Sequence, residues 1–339
     1  MKNTETVLDV RNLSVAFSSF GESVGIIDEI SFDIKKGETV GIVGESGCGK
    51  SMTALAIMRL IQSPPGVVKG VIGLNGRNLL ELSEADMRSV RGNEISMIFQ
   101  EPMTSLNPVL TIGAQLTEVL RFHRGMGRAE ARRKAVEMLR MVNIALPEQR
   151  IGEYPHQFSG GMRQRVMIAM ALSCTPKLLI ADEPTTALDV TIQAQILELM
   201  QQLGRELGTS IMLITHDLGV VGEICSRAII LYCGRIVEEI RSEDLFDRPS
   251  HPYTQGLLDS LPHAGRGGKL YVIPGAVPSP NDFPEGCVFH PRCKSAMERC
   301  AHEPPGFTEL SPGHRVRCWL YGENAAAVSA ARRKEGATA

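Results

Sequence analysis

Short runs of apolar residues, each followed by polar ones, recur along this chain. The run at residues 178–181 is unbroken, which is typical of a strand in a parallel sheet that is covered on both faces. Similar runs at residues 39–43 and 210–215 predict two more strands, and a more mixed run at 95–99 predicts a fourth. Residues 52–58, which come after the strand predicted at 39–43, have the pattern of a helix. Strands that alternate with helices in this way predict an α/β core.

The remaining segments show weaker patterns. One apolar face at helical spacing, most simply a core-facing helix, is formed by Ala135, Met138, Leu139 and Val142. Residues 101–108 contain two prolines and predict a loop. After Gly234 the pattern thins and prolines multiply, so that a short helix over residues 255–261 is the main element predicted there.

The composition is ordinary for a folded protein and limits what the chain can be. Its 339 residues are 43% hydrophobic and 22% charged, which suits two or three domains. The formal net charge of −2 gives no overall attraction to nucleic acid. The longest apolar run, residues 166–172, is much shorter than the ~18 residues of a membrane-spanning helix, and residues 1–6 lack the apolar part of a signal peptide. We therefore expect a cytosolic protein that reaches a membrane only by docking onto another protein.

Residues 44–51 read Gly-Glu-Ser-Gly-Cys-Gly-Lys-Ser, the pattern of a phosphate-binding loop. The loop lies between a predicted strand and a predicted helix, which is the context that such a loop requires. Its glycines let the backbone N–H groups face a β-phosphate, and the helix N-terminus adds a partial positive charge. Lys50 can reach the β- and γ-phosphates, and the Ser51 hydroxyl can bind Mg²⁺. A chance glycine-rich turn is the alternative, and the flanking elements argue against it.

Polar residues follow three of the predicted strands, at the sheet edge where ligands bind in parallel α/β folds. Asp182 can hold the Mg²⁺ shell, and Glu183 can polarise an attacking water. Taken alone, this pair is equally compatible with a solvated strand end. His216 follows residues 210–215, and we assign it to sensing or orienting a γ-phosphate. The amide of Gln100 could contact Mg²⁺ or the water.

Together these residues resemble the nucleotide-binding subunits of ABC transporters, over about the first 240 residues. The matching elements, in the order of the family, are the phosphate loop, the Q-loop at Gln100, the signature at residues 159–162, the Asp182-Glu183 pair, the loop ending at Asp189, and His216. The resemblance implies an ABC nucleotide-binding domain over residues 1–240. This domain would contain a P-loop NTPase core, an antiparallel β subdomain, and a helical subdomain at about residues 101–170 that faces membrane subunits.

The resemblance also implies a head-to-tail dimer in which each ATP lies between one phosphate loop and the signature of the partner. Ser159, Gly160 and Gly161 open a helix that is predicted over residues 162–172. Their N–H groups and the helix dipole can therefore meet a γ-phosphate. The family usually has Gln where this chain has Met162. Because the Ser-Gly-Gly core carries the contact, we expect activity to be retained.

ATP and Mg²⁺ are the ligands implied at this site. Phe17 corresponds to the aromatic residue that stacks on adenine, although Phe20 is a competing candidate and Phe17 could be plain core. The implied Mg²⁺ ligands are Ser51, Gln100 and Asp182. The other implied nucleotide contacts are Gly44, Glu45, Ser46, Gly47, Cys48, Gly49, Lys50, Met52, Ser159, Gly160, Gly161, Met162 and Asp189. Cys48 could make the site sensitive to thiol reagents, or it could be a small filler.

Residues 241–322 resemble the C-terminal domain of the dipeptide/oligopeptide permease branch of ABC importers, which also handles nickel and other small solutes. The resemblance rests on Ser-His-Pro-Tyr-Thr at 250–254, the proline-rich residues 273–280 and the cysteines that follow. It implies a peripheral ATPase subunit at the cytoplasmic face of the bacterial inner membrane. The implied partners are a second ABC ATPase in a heterodimer, two transmembrane permease subunits and, indirectly, a periplasmic solute-binding protein. Residues 323–339 predict a disordered, Ala-rich tail.

Four of the eight cysteines crowd into this C-terminal domain, at Cys287, Cys293, Cys300 and Cys318. In a reducing compartment such a group more often holds metal than forms disulfides. Four thiolates can hold an iron–sulfur cluster, whereas structural zinc sites usually contain a close C-x2-4-C pair that is missing here. Some members of the family are understood to carry a [4Fe–4S] cluster at matching cysteines. We expect such a cluster, with zinc, free thiols or disulfides as the alternatives.

Two other functions are open at this point. A soluble ABC ATPase that acts on DNA or ribosomes would need a long coiled coil within the cassette or a second phosphate loop, and the sequence contains neither. A regulatory redox sensor built on the cysteines is the other possibility. The intact catalytic residues argue against sensing as the main role.

Overall fold

The structure is a computed structural model, and it describes residues 5–19, 22–100, 105–186, 188–261 and 271–322. The strands in these ranges are β1 (Thr6–Ser19), β2 (Glu22–Lys35), β3 (Thr39–Val43), β4 (Gly66–Leu74), β5 (Arg77–Asn78), β6 (Ile95–Ile98), β7 (Leu178–Asp182), β8 (Ser210–Thr215), β9 (Arg227–Tyr232), β10 (Arg235–Arg241), β11 (Thr308–Ser311) and β12 (His314–Val316). The α-helices are α1 (Lys50–Ile57), α2 (Glu84–Val90), α3 (Ile112–Arg124), α4 (Arg128–Met141), α5 (Pro147–Arg150), α6 (Gly160–Leu172), α7 (Val190–Leu207), α8 (Leu218–Ile224), α9 (Pro252–Asp259) and α10 (Glu298–His302).

The larger of two sheets positions the polar residues that follow the predicted strands. Its strand order is β11-β12-β10-β9-β3-β8-β7-β6. The strands from β9 to β6 are parallel, whereas β10, β12 and β11 add antiparallel pairs at the other end. Because parallel strands have their carboxyl ends at one edge, the segments after β3, β6, β7 and β8 meet there. The predicted α/β core is confirmed.

The central strands form because their side chains are buried on both faces. All residues of β7 and β8 are buried, and β8 has the predicted bounds. Complete burial of a large aliphatic side chain contributes about 1.5–3 kcal/mol. Hydrophobic burial therefore holds the strands whose ends carry the polar residues.

The smaller sheet, in the order β2-β1-β4-β5, is the antiparallel β subdomain that the resemblance implied. β1 pairs with both β2 and β4 along most of its length. Its buried residues Leu8 and Leu13 belong to the same hydrophobic cluster as Ile42 of β3 and Ile180 of β7. One face of the larger sheet therefore packs against the β subdomain.

Helices α3, α4 and α6 form the helical subdomain on the other side of the core. Its predicted apolar face is confirmed, since all four residues are buried: Ala135, Met138, Leu139 and Val142. α6 starts at Gly160, two residues earlier than predicted, because Ser159 is its N-cap. Residues 101–104, part of the predicted loop, lie outside the described residues.

The C-terminal helix α9 differs from the sequence-based prediction. It begins at Pro252 and ends at Asp259, whereas the pattern predicted residues 255–261. Nδ1 of His251 accepts a hydrogen bond from the N–H group of Tyr253 at 3.1 Å and caps the helix. Proline suits the first helical position because its missing N–H would have no intrahelical acceptor there.

The hairpin of β11 and β12 extends the larger sheet beyond β10. Glu238 of β10 is fully buried where the two segments join. Its carboxylate accepts hydrogen bonds from the N–H groups of Ser250 and His251 at 2.7 and 3.0 Å, and it lies 2.8 Å from Nε2 of His314. These partners offset the cost of burying a carboxylate. The C-terminal segments are therefore anchored on the core sheet.

Two sequence-based expectations concern the membrane and the end of the chain. Within the described ranges, no helix combines the length and the apolar character needed to cross a membrane. The predicted tail at residues 323–339 lies outside the described residues.

Candidate functional site

The predicted phosphate loop, residues 44–51, connects β3 directly to α1. Gly49 precedes the helix with a φ of 104°, which side-chain-bearing residues rarely adopt. A Cβ at Gly44 would lie 2.3 Å from a backbone carbonyl oxygen of β9, so glycine alone fits this position. Ser46 and Gly47 at the tip are exposed. The loop therefore curls tightly at the start of α1 and presents its tip to solvent.

Lys50 and Cys48 are both buried against this loop. Lys50 is only 6% exposed, and its Nζ donates hydrogen bonds to the carbonyl oxygens of Gly44 and Glu45 at 2.7 and 3.0 Å. The ammonium group thus stays next to the N–H groups that would bind an anion. Burial raises the pKa of the Cys48 thiol. Because the thiolate is the reactive form, the structure favours the filler role for this cysteine.

Ser51 and Asp182 meet between the first turn of α1 and the end of β7. The Ser51 hydroxyl donates a hydrogen bond to Oδ1 of Asp182 at 3.1 Å. Burial raises the pKa of the Asp182 carboxyl, and the hydrogen bond from Ser51 opposes this shift. A hydroxyl beside a carboxylate offers the oxygen ligands that Mg²⁺ prefers. The third predicted ligand, Gln100, makes its described hydrogen bond with Glu183 instead.

Glu183 is surrounded by polar groups from three segments. Its Oε2 accepts hydrogen bonds from Nε2 of Gln100 at 3.1 Å and from Oγ1 of Thr186 at 3.0 Å. Nδ1 of His216 lies 3.5 Å from Oε1. Glu183 has a φ of 44°, a strained value that often marks a functional residue. Its side chain is 17% exposed and that of His216 is 69% exposed, so a water can reach the carboxylate from the histidine side.

The signature residues lie on the helical subdomain. Ser159 is exposed and caps α6, and Gly160 and Gly161 form the first turn of that helix. In the part of the chain that the structure describes, no hydrogen bond joins residues 159–162 to residues 44–51. The exposed start of α6 is therefore open to an anion held by another molecule.

Met162 and Asp189 lie at the starts of two helices, α6 and α7. Met162 is partly buried in the first turn of α6 and packs against the core. Asp189 is exposed and caps α7, with Oδ1 accepting a hydrogen bond from the N–H group of Ile192 at 2.9 Å. Both residues therefore have local structural roles in addition to the nucleotide contacts that the resemblance implies.

The candidate adenine contact lies in the β subdomain. Phe17 belongs to β1 and is partly buried against the same cluster as Met52 of α1. Phe20 lies outside the described residues. Phe17 therefore combines a packing role with a partly exposed ring.

Three residues that the sequence analysis did not single out contact the site. Nη1 and Nη2 of Arg292 donate to the two carboxylate oxygens of Glu45 at 2.7 and 3.0 Å. The Tyr253 hydroxyl accepts a hydrogen bond from the N–H group of Glu45 at 2.8 Å. Thr186, which contacts Glu183, is the third. Arg292 and Tyr253 are 247 and 208 residues away from Glu45 in sequence, so no local pattern could have indicated their contacts with it.

The structure brings the four C-terminal cysteines around one cavity. Cys287, Cys293, Cys300 and Cys318 all line it, beside His251 and Trp319. All four are free thiols, and burial raises the pKa of Cys318 to about 12. Among the described residues, no group of three or more His, Cys, Asp or Glu side chains is placed to hold a metal ion. The predicted grouping is thus present, but the described residues do not form a site for a single metal ion such as the zinc alternative.

Two family patterns match the sequence. The ABC transporter pattern covers residues 27–186, which include the phosphate loop, the signature and both carboxylates after β7. The pattern described as the C-terminal region of oligopeptide/dipeptide transporters covers residues 237–300, which include three of the four cysteines. The two matches cover separate parts of the chain.

Known proteins are similar to this chain over most of its length. The oligopeptide transport ATP-binding protein AppD of Bacillus subtilis (strain 168) is 56% identical over 326 residues, which cover 96% of this chain and 99% of AppD. The dipeptide transport ATP-binding protein DppD of the same bacterium is 50% identical over 325 residues, which cover 95% and 96%. A dimeric, post-hydrolysis structure of the ATP-binding cassette MJ0796 with ADP and Pi is 30% identical, with a TM-score of 0.62, and covers 69% of this chain and 98% of that chain.

Proposed function

The chain belongs to the ABC transporter family, in its oligopeptide/dipeptide branch, and we propose that it hydrolyses ATP to energise import of oligopeptides or dipeptides. The observation that carries this proposal is the meeting of Lys50, Ser51, Asp182 and Glu183 at one sheet edge. Similarity to transport proteins over most of the chain supports the cargo class, with nickel or another small solute as the alternative. The same similarity favours transport over action on nucleic acid or ribosomes.

The nucleotide assignments follow from the contacts at this edge. The N–H groups of residues 44–51 and Lys50 would hold the β- and γ-phosphates of ATP. Ser51 and Asp182 would hold Mg²⁺, which neutralises charge on the phosphates when it is bound. Glu183 would polarise the attacking water, with His216 next to the γ-phosphate. Gln100 is assigned to orienting Glu183 as well as to contacting the metal shell.

A second ATPase subunit would complete each ATP site. The exposed start of α6 supports this, because no hydrogen bond among the described residues joins its signature N–H groups to the phosphate loop of the same chain. The dimeric cassette structure that is 30% identical supports it as well. We assign the second subunit to a related ATPase, and we place the pair on two transmembrane permease subunits at the cytoplasmic face of the bacterial inner membrane. A periplasmic solute-binding protein would deliver the cargo.

The four C-terminal cysteines are assigned to a [4Fe–4S] cluster as part of this proposal. Its support is the donor set, four free thiols on one cavity. A cubane holds its ligands farther apart than a single ion does, so the cysteines can share a cavity without forming a single-ion site. When bound, the cluster would cross-link a proline-rich segment that has little core of its own.

Uptake into proteoliposomes tests the transport proposal. The vesicles would contain this chain, its permease subunits and the second ATPase. We expect MgATP-dependent uptake of a labelled oligopeptide that is lost with Glu183→Gln. Uptake of nickel in place of peptide would show that the transported solute is nickel and overturn the peptide assignment. ATP hydrolysis without uptake of any solute would overturn the transport role.

A further inference from the structure

The C-terminal domain makes an ion pair with the phosphate loop. The guanidinium of Arg292 and the carboxylate of Glu45 form two parallel hydrogen bonds of 2.7 and 3.0 Å. The Arg292 side chain is 5% exposed and that of Glu45 is 29% exposed. A bidentate pair with one buried partner is screened less by solvent than a surface pair, and its planar fork fixes the angle as well as the distance.

Other contacts hold the guanidinium of Arg292 in place. Its Nε donates to the carbonyl oxygen of Pro274 at 3.0 Å, and Nη1 lies 3.3 Å from the hydroxyl of Tyr232. Phe289, three residues earlier, packs edge-on against Tyr232 at 5.2 Å and at a tilt against Tyr253 at 5.3 Å between ring centroids. The carboxylate of Glu45 therefore meets a donor that is already fixed by the surrounding structure.

Glu45 in turn contacts the lysine of the loop. Its carbonyl oxygen accepts a hydrogen bond from Nζ of Lys50 at 3.0 Å. Its N–H group donates to the Tyr253 hydroxyl at 2.8 Å. Both the side chain and the backbone of one loop residue are thus held by residues that follow the cassette in sequence.

We propose that Arg292 is a positioning residue for ATP binding, which acts through Glu45 to hold the phosphate loop and Lys50 in the binding geometry. The proposal rests on the proposed function in one respect, the assignment of ATP to this loop. Under this proposal, the C-terminal domain contributes a residue that determines how well the phosphate loop binds ATP. Arg292 lies in the turn His290–Arg292, directly before Cys293, so the segment that carries the cysteines also carries this contact.

ATP binding and turnover by the full chain test the proposal. Arg292→Ala should raise the Kd and the KM for MgATP by about tenfold, with kcat within about twofold of wild type. Loss of folded protein would instead lower the apparent kcat at unchanged KM. Arg292→Lys keeps the charge but loses the fork, and it should give an intermediate KM. Arg248→Ala is the control, since Arg248 is 78% exposed and pairs at 3.6 Å with Asp244 in the same domain.

A double-mutant cycle shows whether Arg292 acts through Glu45. If it does, Arg292→Ala combined with Glu45→Ala should raise the KM no further than the larger single effect. Multiplied effects would overturn the link. If Arg292→Ala does not fold, Arg292→Lys and Glu45→Gln test the same pair. Wild-type KM and Kd in both of them would overturn the proposal.

Hydrogen exchange separates this proposal from the assignment of ATP to the loop. Without nucleotide, amides in residues 44–51 should exchange faster in Arg292→Ala than in Arg248→Ala or wild type. Equal exchange would overturn the proposal even if wild-type protein binds ATP. Faster exchange in a protein whose wild type does not bind ATP would overturn the ATP assignment and leave the contact with the loop established.

Discussion

Nε2 of Gln100 donates a hydrogen bond of 3.1 Å to Oε2 of Glu183, and this bond joins the ends of the neighbouring strands β6 and β7. Gln100 begins the segment that leads into the helical subdomain, whereas Glu183 directly follows strand β7 of the phosphate-binding core. A shift of Gln100 would therefore act directly on the carboxylate that we assign to polarising water. This bond offers a short path between the segment that precedes the helical subdomain and the carboxylate that we assign to ATP hydrolysis.

Gln100→Ala should weaken hydrolysis more than binding. The change removes one of the two donors to Oε2 of Glu183 among the described residues and leaves that of Thr186. Loss of one hydrogen bond of about 1 kcal/mol corresponds to about a fivefold lower kcat, with Kd for ATP within about twofold. Phosphate release and equilibrium ATP binding measure the two effects. Gln195→Ala on α7 is the control, and an unchanged kcat in Gln100→Ala would show that the bond does not orient Glu183.

Glu183→Gln should separate ATP binding from hydrolysis. The amide keeps the size of the side chain but cannot accept a proton from water, so phosphate release should fall by about 100-fold or more. ATP binding should persist, and a nucleotide-bound dimer should accumulate on size-exclusion chromatography. Glu198→Gln makes the same chemical change on the exposed face of α7 and should hydrolyse ATP normally. Hydrolysis by Glu183→Gln at the wild-type rate would exclude Glu183 as the base.

Asp182→Asn should stabilise the protein and inactivate it. Burial raises the pKa of Asp182 above the ordinary value of 3.8, so the folded state binds this proton more tightly than the unfolded state. The contribution of Asp182 to stability therefore falls as pH rises from about 3.8 through the folded pKa. In Mg²⁺-free buffer, Asp182→Asn should raise the Tm by roughly 2 °C at pH 7 and by less at pH 4.

Calorimetry at the two pH values checks the sign of this effect. MgATP hydrolysis by the same variant should be lost, because a neutral amide is a poor substitute for a carboxylate that holds Mg²⁺. A lower Tm than wild type at pH 7 would mean that the charged form of Asp182 stabilises the fold.

The cysteine assignment predicts a visible spectrum. Protein purified without oxygen should show a broad band near roughly 400 nm that dithionite bleaches, with matching iron and sulfide. Cys300→Ser should lose the band, whereas Cys174→Ser, at a buried cysteine outside the group, should keep it. Zinc, or no metal, in the wild-type protein would rule out the cluster and leave the ATPase assignment unchanged.

Short sequence patterns, each spanning a few neighbouring residues, correctly predicted the elements whose structure depends on those residues alone. The strand at residues 210–215 has its predicted bounds because its apolar run is buried on both faces. The phosphate loop was recognisable because its glycines and Lys50 occur at fixed spacing before a helix. The start of α9 was predicted too late, because a pattern of apolar residues does not include the capping contact that His251 makes.

The sequence by itself determined the α/β core, the phosphate loop and the identity of the residues at the sheet edge. Each of these depends on neighbours in the chain or on the rule that parallel strands share an edge. The tertiary structure decided that Gln100 contacts Glu183, that a C-terminal hairpin extends the core sheet, and that Arg292 forms an ion pair with Glu45. These contacts join residues 76 to 247 positions apart, so they depend on strand order and packing, which no short window of sequence contains.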